Sequence, residues 1–250
     1  MAMATIQIGG REGCALRETL TMIRQCRLGC RRHMGDPRGA IGWEASPSVD
    51  TVFPYPYRCS PSAARLTVWC KSLLFNGRGY TVYDDSDGRM VFRVDNYAQN
   101  WREEAHLMDS AGNVLLTIRR CRKKLSITNS WDVYEGDHDV RSRLLGGQQR
   151  PLFRVTKALG NPSCTVSVVS PQQEAPSAPA YRMSWSRHDE RSHIFAGPAG
   201  TLLVAEVRRK LCCGGARGEL LGKDVLSMEI QPGMDQALVM ALVMINNAMR

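Results

Sequence analysis

Residues 235–249 read DQALVMALVMINNAM, and no side chain from Ala237 to Ile245 is polar or charged. Asp235 follows a breaker pair, Pro232-Gly233, closely and is a good N-cap for a helix beginning there. A surface helix would show a polar stripe at helical spacing; this one is apolar on every side. Such a helix is either enclosed by protein or inserted in lipid. Nine residues make a helix of only about 14 Å at ~1.5 Å per residue, whereas a bilayer needs roughly 20 apolar residues. The stretch therefore predicts a helix surrounded by the rest of the chain. Its core side chains are Leu238, Val239, Met240, Leu242, Val243, Met244 and Ile245.

What surrounds it is legible upstream. From Leu66 the chain becomes a series of short β-type runs separated by turns. YTVYD, a DSDG turn and RMVFRVDNY form one hairpin; AHLMD, an SAG turn and NVLLTIRR form a second. LSI, SWDVYEG, PLFRVTKAL, SCTVSVVS, YRMSWS, SHIFAG, TLLVAEVRRK and KDVLSMEI follow, which makes about a dozen strands with LTVWCKSLLF at the start. A barrel of about eight strands holds only side chains, and one of eleven or twelve is wide enough for a helix ~10–12 Å across. The expected fold is all-β with one helix: a closed antiparallel barrel of about twelve strands around the hydrophobic C-terminal helix. An internal echo supports two similar halves, since SAGNVLLTIRR (110–120) matches PAGTLLVAEVRR (198–209) with one residue inserted.

Residues 1–63 differ from the rest. Arg and Cys occur in irregular order, with a short basic helix predicted over Leu16 to Arg32 and an extended Pro-rich linker from Pro47 to Pro61. The expected organisation is a poorly ordered extension, 1–63, and a barrel domain, 64–250, with its central helix over 235–249.

The chain has 250 residues and a net charge of +9. Nine basic and five acidic side chains fall in 1–65, and 24 and 19 in 66–250, so the excess is mild and spread out. It permits contact with anionic lipid or nucleic acid without requiring it. No segment is long and apolar enough for a transmembrane helix, and the N-terminus lacks the apolar core of a secretory signal. The nine Cys are odd in number and scattered, which predicts reduced thiols in an intracellular compartment.

At this point the motifs carry a family. VWCKSLLFNGRGYTVYDDSDGRMVFRVDNY, LMDSAGNVLLTIRR, SWDVYEG and LGKDVLSMEIQPGMDQALVMALVMI resemble the plant LURP-one-related proteins, from about Val68 to Ile245. That family is similar to the tubby C-terminal domain and the phospholipid scramblases. The resemblance implies a twelve-stranded antiparallel barrel around a hydrophobic C-terminal helix, and a link with plant defence and growth responses. Met234 stands where the pattern suggests an aromatic, and Asn246-Asn247 replace a more apolar ending. Both departures predict looser contacts at the helix ends.

Chemistry is sparser. There is no Gly-rich phosphate loop, no G-x-S-x-G elbow and no H-E-x-x-H, so no catalytic residue is assigned and an enzyme is not expected. RHDERSH, with His188 and His193 flanking Asp189 and Glu190, reads as an exposed turn rather than a metal site. Cys14, Cys26, Cys30 and His33 match no standard zinc spacing, and no metal or cofactor is expected. Cys212-Cys213 reads as an exposed pair in a Gly-rich loop.

The functional candidates are basic runs: Arg119, Arg120, Arg122, Lys123 and Lys124, with Arg208, Arg209 and Lys210 at the equivalent place in the echo. Fixed cations of this kind suit a phosphorylated head group, while the plain alternative is a solvated strand end. The first run also resembles a nuclear localisation signal. No aromatics interleave with it, so nucleic acid is the less favoured partner. The sequence thus points to a monomeric, non-enzymatic module binding an anionic phospholipid (phosphoinositide) or a protein partner. Its expected place is the cytoplasm or a membrane periphery. The alternative is a nuclear, transcription-associated tubby-like protein.

Overall fold

The strands turn an apolar face inward; a few apolar side chains, such as the paired Trp69 and Val225, stand on the outer face. In the computed structural model the strands are β1 (Ala64–Trp69), β2 (Gly79–Asp84), β3 (Met90–Asp95), β4 (Glu104–Asp109), β5 (Val114–Cys121), β6 (Thr128–Glu135), β7 (Phe153–Ala158), β8 (Ser163–Val168), β9 (Tyr181–Ser186), β10 (Arg191–Ala196), β11 (Leu202–Arg209) and β12 (Val225–Ile230). One helix follows, α1 (Gln236–Ala248). The structure describes residues 59–71, 79–95, 103–121, 128–138, 150–158, 160–161, 163–169, 179–186, 191–197, 199–211 and 222–249. The barrel belongs to a compact unit made of Asp50–Lys210 and Gly222–Arg250. Of the extension read over 1–63, with its basic helix (16–32) and Pro-rich linker (47–61), residues 1–58 lie outside the described residues, as does the turn 187–190.

The twelve strands close into one antiparallel barrel, each pairing with its sequence neighbours and β1 pairing with β12. Closure leaves no unpaired sheet edge. The expected fold is the observed one. Leu66, Val68, Val82, Val94, Leu107, Val133, Val155, Val166 and Ile194 on the inner face are fully buried. Facing them, Ala237 to Asn246 of α1 are all buried, with no polar face to orient.

The helix entry is built by local chemistry. Gln231-Pro232-Gly233-Met234 forms a tight turn, closed by the Met234 N–H donating to the Gln231 carbonyl at 3.3 Å. Pro suits the second position of such a turn, and Gly233, at φ +77°, supplies the left-handed residue that must follow it. Asp235 then caps the helix, its Oδ1 accepting from the N–H groups of Ala237 (2.7 Å) and Leu238 (3.3 Å). Cys59 forms a bridge with Asp235, and the Gly233 N–H donates to the Ser60 carbonyl at 2.9 Å. The seam holding the helix entry thus reaches to Cys59.

The departures at the helix ends do not loosen it. Met234 is buried within the core cluster. Asn246 is buried and donates through Nδ2 to Ser192 Oγ at 3.3 Å, and Asn247 Nδ2 donates to the Tyr80 hydroxyl oxygen at 3.3 Å. Polar residues are accommodated there because inward positions turn polar near the barrel end.

Two outcomes test this architecture. Leu242 is fully buried, so an unpaired charge there costs several kcal/mol. Leu242→Asp, or a stop at Gln236, is expected to give insoluble or unfolded protein; a soluble, cooperatively melting chain lacking α1 would contradict it. Second, a chain starting at Ser62 lacks the Cys59 and Ser60 contacts and should melt a few degrees below one starting at Cys59. About 1 kcal/mol corresponds to ~2–4 °C at this domain size. Equal melting temperatures would show that the seam is dispensable.

Candidate functional site

Alternation along a strand splits every Arg-Arg pair between the two faces of the sheet. In β5, Arg119 faces outward opposite Asp132, whereas Arg120 lies opposite core residue Trp131 and faces the barrel mouth. In β11, Arg208 pairs with outward Ser227, and Arg209 with Leu226 on the inner side. The echo extends further: each strand has a bulge in the preceding hairpin at the matching place, after Leu107 and after Ile194. Strands β5 and β11 are six strands apart in either direction around the twelve. The two doublets therefore stand on opposite walls.

The outward cations are held by acids from neighbouring strands. Arg119 Nε and Nη2 both meet Glu104 Oε2 at 2.6 Å, and its Nη1 lies 3.3 Å from His138 Nδ1. Arg208 Nη2 donates to Glu229 Oε1 at 2.9 Å, which Arg65 also approaches at 3.3 Å. Lys210 Nζ donates to both carboxylate oxygens of Asp85 at 2.8 Å, and also contacts Thr67. Beside Arg119, Arg154 forms a two-pronged pair with buried Asp132 at 2.6 and 2.8 Å. That hydrogen bond, ahead of the opposing effect of burial, holds the Arg154 guanidinium more firmly protonated than usual. Arg122, Lys123 and Lys124 lie outside the described residues.

The inward members meet at the end of the barrel where α1 terminates. The Arg120 guanidinium lies 5.5 Å from the Trp131 ring centroid, donates to Asn129 Oδ1 at 3.2 Å and stands 3.8 Å from Glu103. Lys157, two positions beyond inward Val155, puts its Nζ 4.0 Å from the Trp185 ring centroid. Arg209 and Lys223 line a cavity of about 80 Å³ with Ser192, Leu226, Val243 and Asn246. Beneath the Glu103 side of the same mouth, between Trp131 and Ile245, the cavity is only about 20 Å³. This is room for about one water. Among the described residues, this end of the barrel thus carries Arg120, Lys157, Arg209 and Lys223, with Glu103 and Glu104 lining the smaller cavity; Lys71 pairs with Asp224, next to Lys223, at 3.3 Å.

The sequence reading singled out Arg120 and Arg209 but not Lys157, Lys223, Ser192 or Asn246. Lys157 was visible as a charge on the inward parity of FRVTKA, in step with Phe153 and Val155. Ser192 carried no local signal, and Asn246 stood out only as a polar residue in an apolar ending, because their pairing joins residues 54 apart.

Comparison with known proteins now decides the family. The LURP-one-related family model matches residues 64–247. The chain belongs to the LURP-one-related family. Protein LURP-one-related 3 of Arabidopsis thaliana is 34% identical over 78% of this chain and 82% of its own length. LURP-one-related 8 of the same plant is 35% identical over 76% and 89%, and LURP-one-related 5 is 37% identical over 72% and 80%. An X-ray structure of an Arabidopsis thaliana protein shares the fold, with TM-score 0.53 and 18% identity, over 78% of this chain and 97% of that one.

The remaining candidates of this LURP-one-related barrel are readily placed. Among the described residues, no three His, Cys, Asp or Glu side chains gather as a metal group. Cys14, Cys26, Cys30, His33, His188 and the Cys212-Cys213 pair lie outside them; His193 sits on β10 beside Phe195. No described helix is long and apolar enough to cross a membrane. Of the described thiols, Cys164 is buried against the core and burial pushes it up to about 11. Burial, then the Asp132 carboxylate, does the same for Cys121, also to about 11.

These thiols give a pH prediction. At about pH 8 a thiol of that kind is ionised to roughly one part in a thousand, so native iodoacetamide labelling mapped by mass spectrometry should spare Cys121 and Cys164. Unfolding in urea should expose both. Their folded values lie above the ordinary 9.0, so they favour the fold below pH 9 and that contribution fades as pH rises towards about 11. Rapid native labelling of Cys164 would contradict its burial.

Proposed function

We propose that this LURP-one-related chain is a non-enzymatic binding module that grips an anionic phospholipid head group at the barrel mouth beside the end of α1. The carrying observation is the sorting of the arginine doublets. Arg119 and Arg208 meet carboxylates on the outer wall, while Arg120 and Arg209 turn to one mouth from opposite sides. Arg209 and Lys223 line the larger cavity there together with Ser192 and Asn246. The C-terminus of a helix carries roughly half an elementary negative charge. Cations at this place complement the helix end and suit an anionic head group. Clustered cations near a surface add about 1 kcal/mol each towards an acidic membrane, and less as salt rises. A place in defence or growth responses belongs to the same proposal, on family grounds.

Phosphatidylcholine vesicles with and without phosphatidylinositol phosphate test this by sedimentation of the full chain. Arg209→Gln with Lys223→Gln should weaken binding to the acidic vesicles by about tenfold or more, a loss of at least ~1.4 kcal/mol. Arg119→Gln with Arg208→Gln, on the outer wall, should leave it within a factor of about two, since neither cation belongs to the mouth. Binding should fall with added salt. The reverse ranking would move the site to the outer wall, and no vesicle binding by the parent would leave a protein partner as the better reading.

A further inference from the structure

The described arginines on the outer face of the strands are engaged by carboxylates, with one exception. Arg119 and Arg154 meet theirs at 2.6 Å, Arg208 at 2.9 Å, Arg93 at 3.1 Å, Arg65 at 3.3 Å and Arg191 at 3.8 Å. Arg182 of β9 is exposed, and among the described residues no ion pair or hydrogen bond holds its guanidinium. Tyr181 and Met183 on either side of it are buried in the core, so strand parity sets Arg182 on the outer face. Its partners across the ladder are Thr165 on β8 and Phe195 on β10, and Phe195 in turn stands opposite Leu203 on β11. Leu203 is 37% exposed and its neighbour Leu202 40%; of the large apolar side chains described, only Leu211 is also exposed. The one unengaged outer arginine therefore borders an open apolar patch. Its stem is steadied by the β10–β11 turn. Gly200, at φ +64°, lies so near that a Cβ built on it would stand 3.5 Å from both Cβ and Cδ of Arg182. A guanidinium on a stem already packed in this way loses less freedom on binding.

We propose that this patch docks a segment of a partner protein in which an aspartate or glutamate adjoins a large apolar side chain. The carboxylate takes the planar fork of Arg182, whose N–H groups match it in parallel hydrogen bonds. The apolar side chain covers Phe195 and Leu203 and removes them from water. Arginine beside an aromatic ring is the composition enriched at the centre of protein interfaces. The charge decides the class of occupant. The outward residues around Arg182 include Thr165, Ser163 and Ser184, none of them charged. One cation in neutral surroundings suits one carboxylate, whereas an acidic bilayer or a phosphorylated segment is drawn by several. Because β12 runs into α1, the β10–β11 turn lies at the end of the barrel where the helix enters, opposite the mouth. The patch is independent of the head-group reading, and either can fail without the other.

Random-peptide phage display against the full chain tests this. The selected peptides should share Asp or Glu next to Leu, Ile or Phe, and synthetic copies should compete with one another. Arg182→Gln should weaken the synthetic peptides by about ten- to a hundredfold, the effect of losing a charge-assisted pair. Leu203→Ser should weaken them about fivefold or more. Both side chains are exposed, so both variants should melt with the parent. Changing the peptide's acid to its amide should weaken binding to the parent by a similar factor and change little in Arg182→Gln, which assigns the pair. Arg209→Gln with Lys223→Gln, at the mouth, should bind the peptides as the parent does. Absence of an acidic–apolar motif among the selected peptides, or peptides indifferent to Arg182→Gln, would overturn the proposal. Vesicle binding that falls in Leu203→Ser would also overturn it and make the patch a bilayer contact. Dimerisation of the full chain in sedimentation, lost in Leu203→Ser, would overturn it in favour of a second copy as the occupant.

Discussion

A helix without a polar side can be buried only by something that encloses it, and this requirement fixes the rest of the molecule. The continuous burial from Ala237 to Asn246 leaves the surrounding wall no gap at which the helix could face water. A closed sheet is the simplest such wall, and twelve strands give it the bore that one helix needs. Closure has a further consequence. The helix enters after the last strand, so the seam between β1 and β12 lies next to its entry point. Cys59, Ser60 and the Asp235 cap hold that junction together.

The two halves of the barrel share a pattern and diverge where it matters. Matching bulges and matching arginine doublets on β5 and β11 place equivalent residues six strands apart. In both halves the first arginine joins an acid on the adjacent strand: Glu104 for Arg119 and Glu229 for Arg208. The second reaches the mouth. There the resemblance ends, because Trp131 fills one side and Leu226 does not fill the other. One substitution of side-chain volume thus converts a packed corner into a cleft, without altering the pattern of the strands that build it.

The fold was legible in the sequence because its governing signals are local. An apolar tail with a Pro-Gly break and an Asp cap can be read within fifteen residues, and so can each hairpin. The basic doublets were legible as charge, but their roles were not. Strand parity separates Arg119 from Arg120 and Arg208 from Arg209, and the neutralising acids lie far away in the chain: Asp85 is 125 residues from Lys210. Lys157 stood alone in a strand and announced no cluster. Asn246 read as a departure from an apolar ending, and only the pairing with Ser192 shows that one of its two polar atoms is satisfied and the other is not.

The location of the mouth follows from the same geometry. Inner positions along most of the bore must be apolar, since they pack against a helix that offers no hydrogen bonds. Polar inward residues become tolerable only where the helix runs out, and there its unpaired carbonyls favour cations nearby. The helix itself has no basic residue in its last turn, and cations of the barrel wall stand near its end. Arg120, Lys157 and Arg209 come from β5, β7 and β11, and Lys223 from the approach to β12. Four described cations of the barrel wall thus stand on the side where the helix ends. On the outer wall Arg119 meets Glu104, Arg154 meets Asp132, and Arg65 and Arg208 share Glu229. These outer cations are thus engaged by carboxylates across the ladder, whereas Arg120 and Arg209 lie on the inward side of their strands, near the end of the helix.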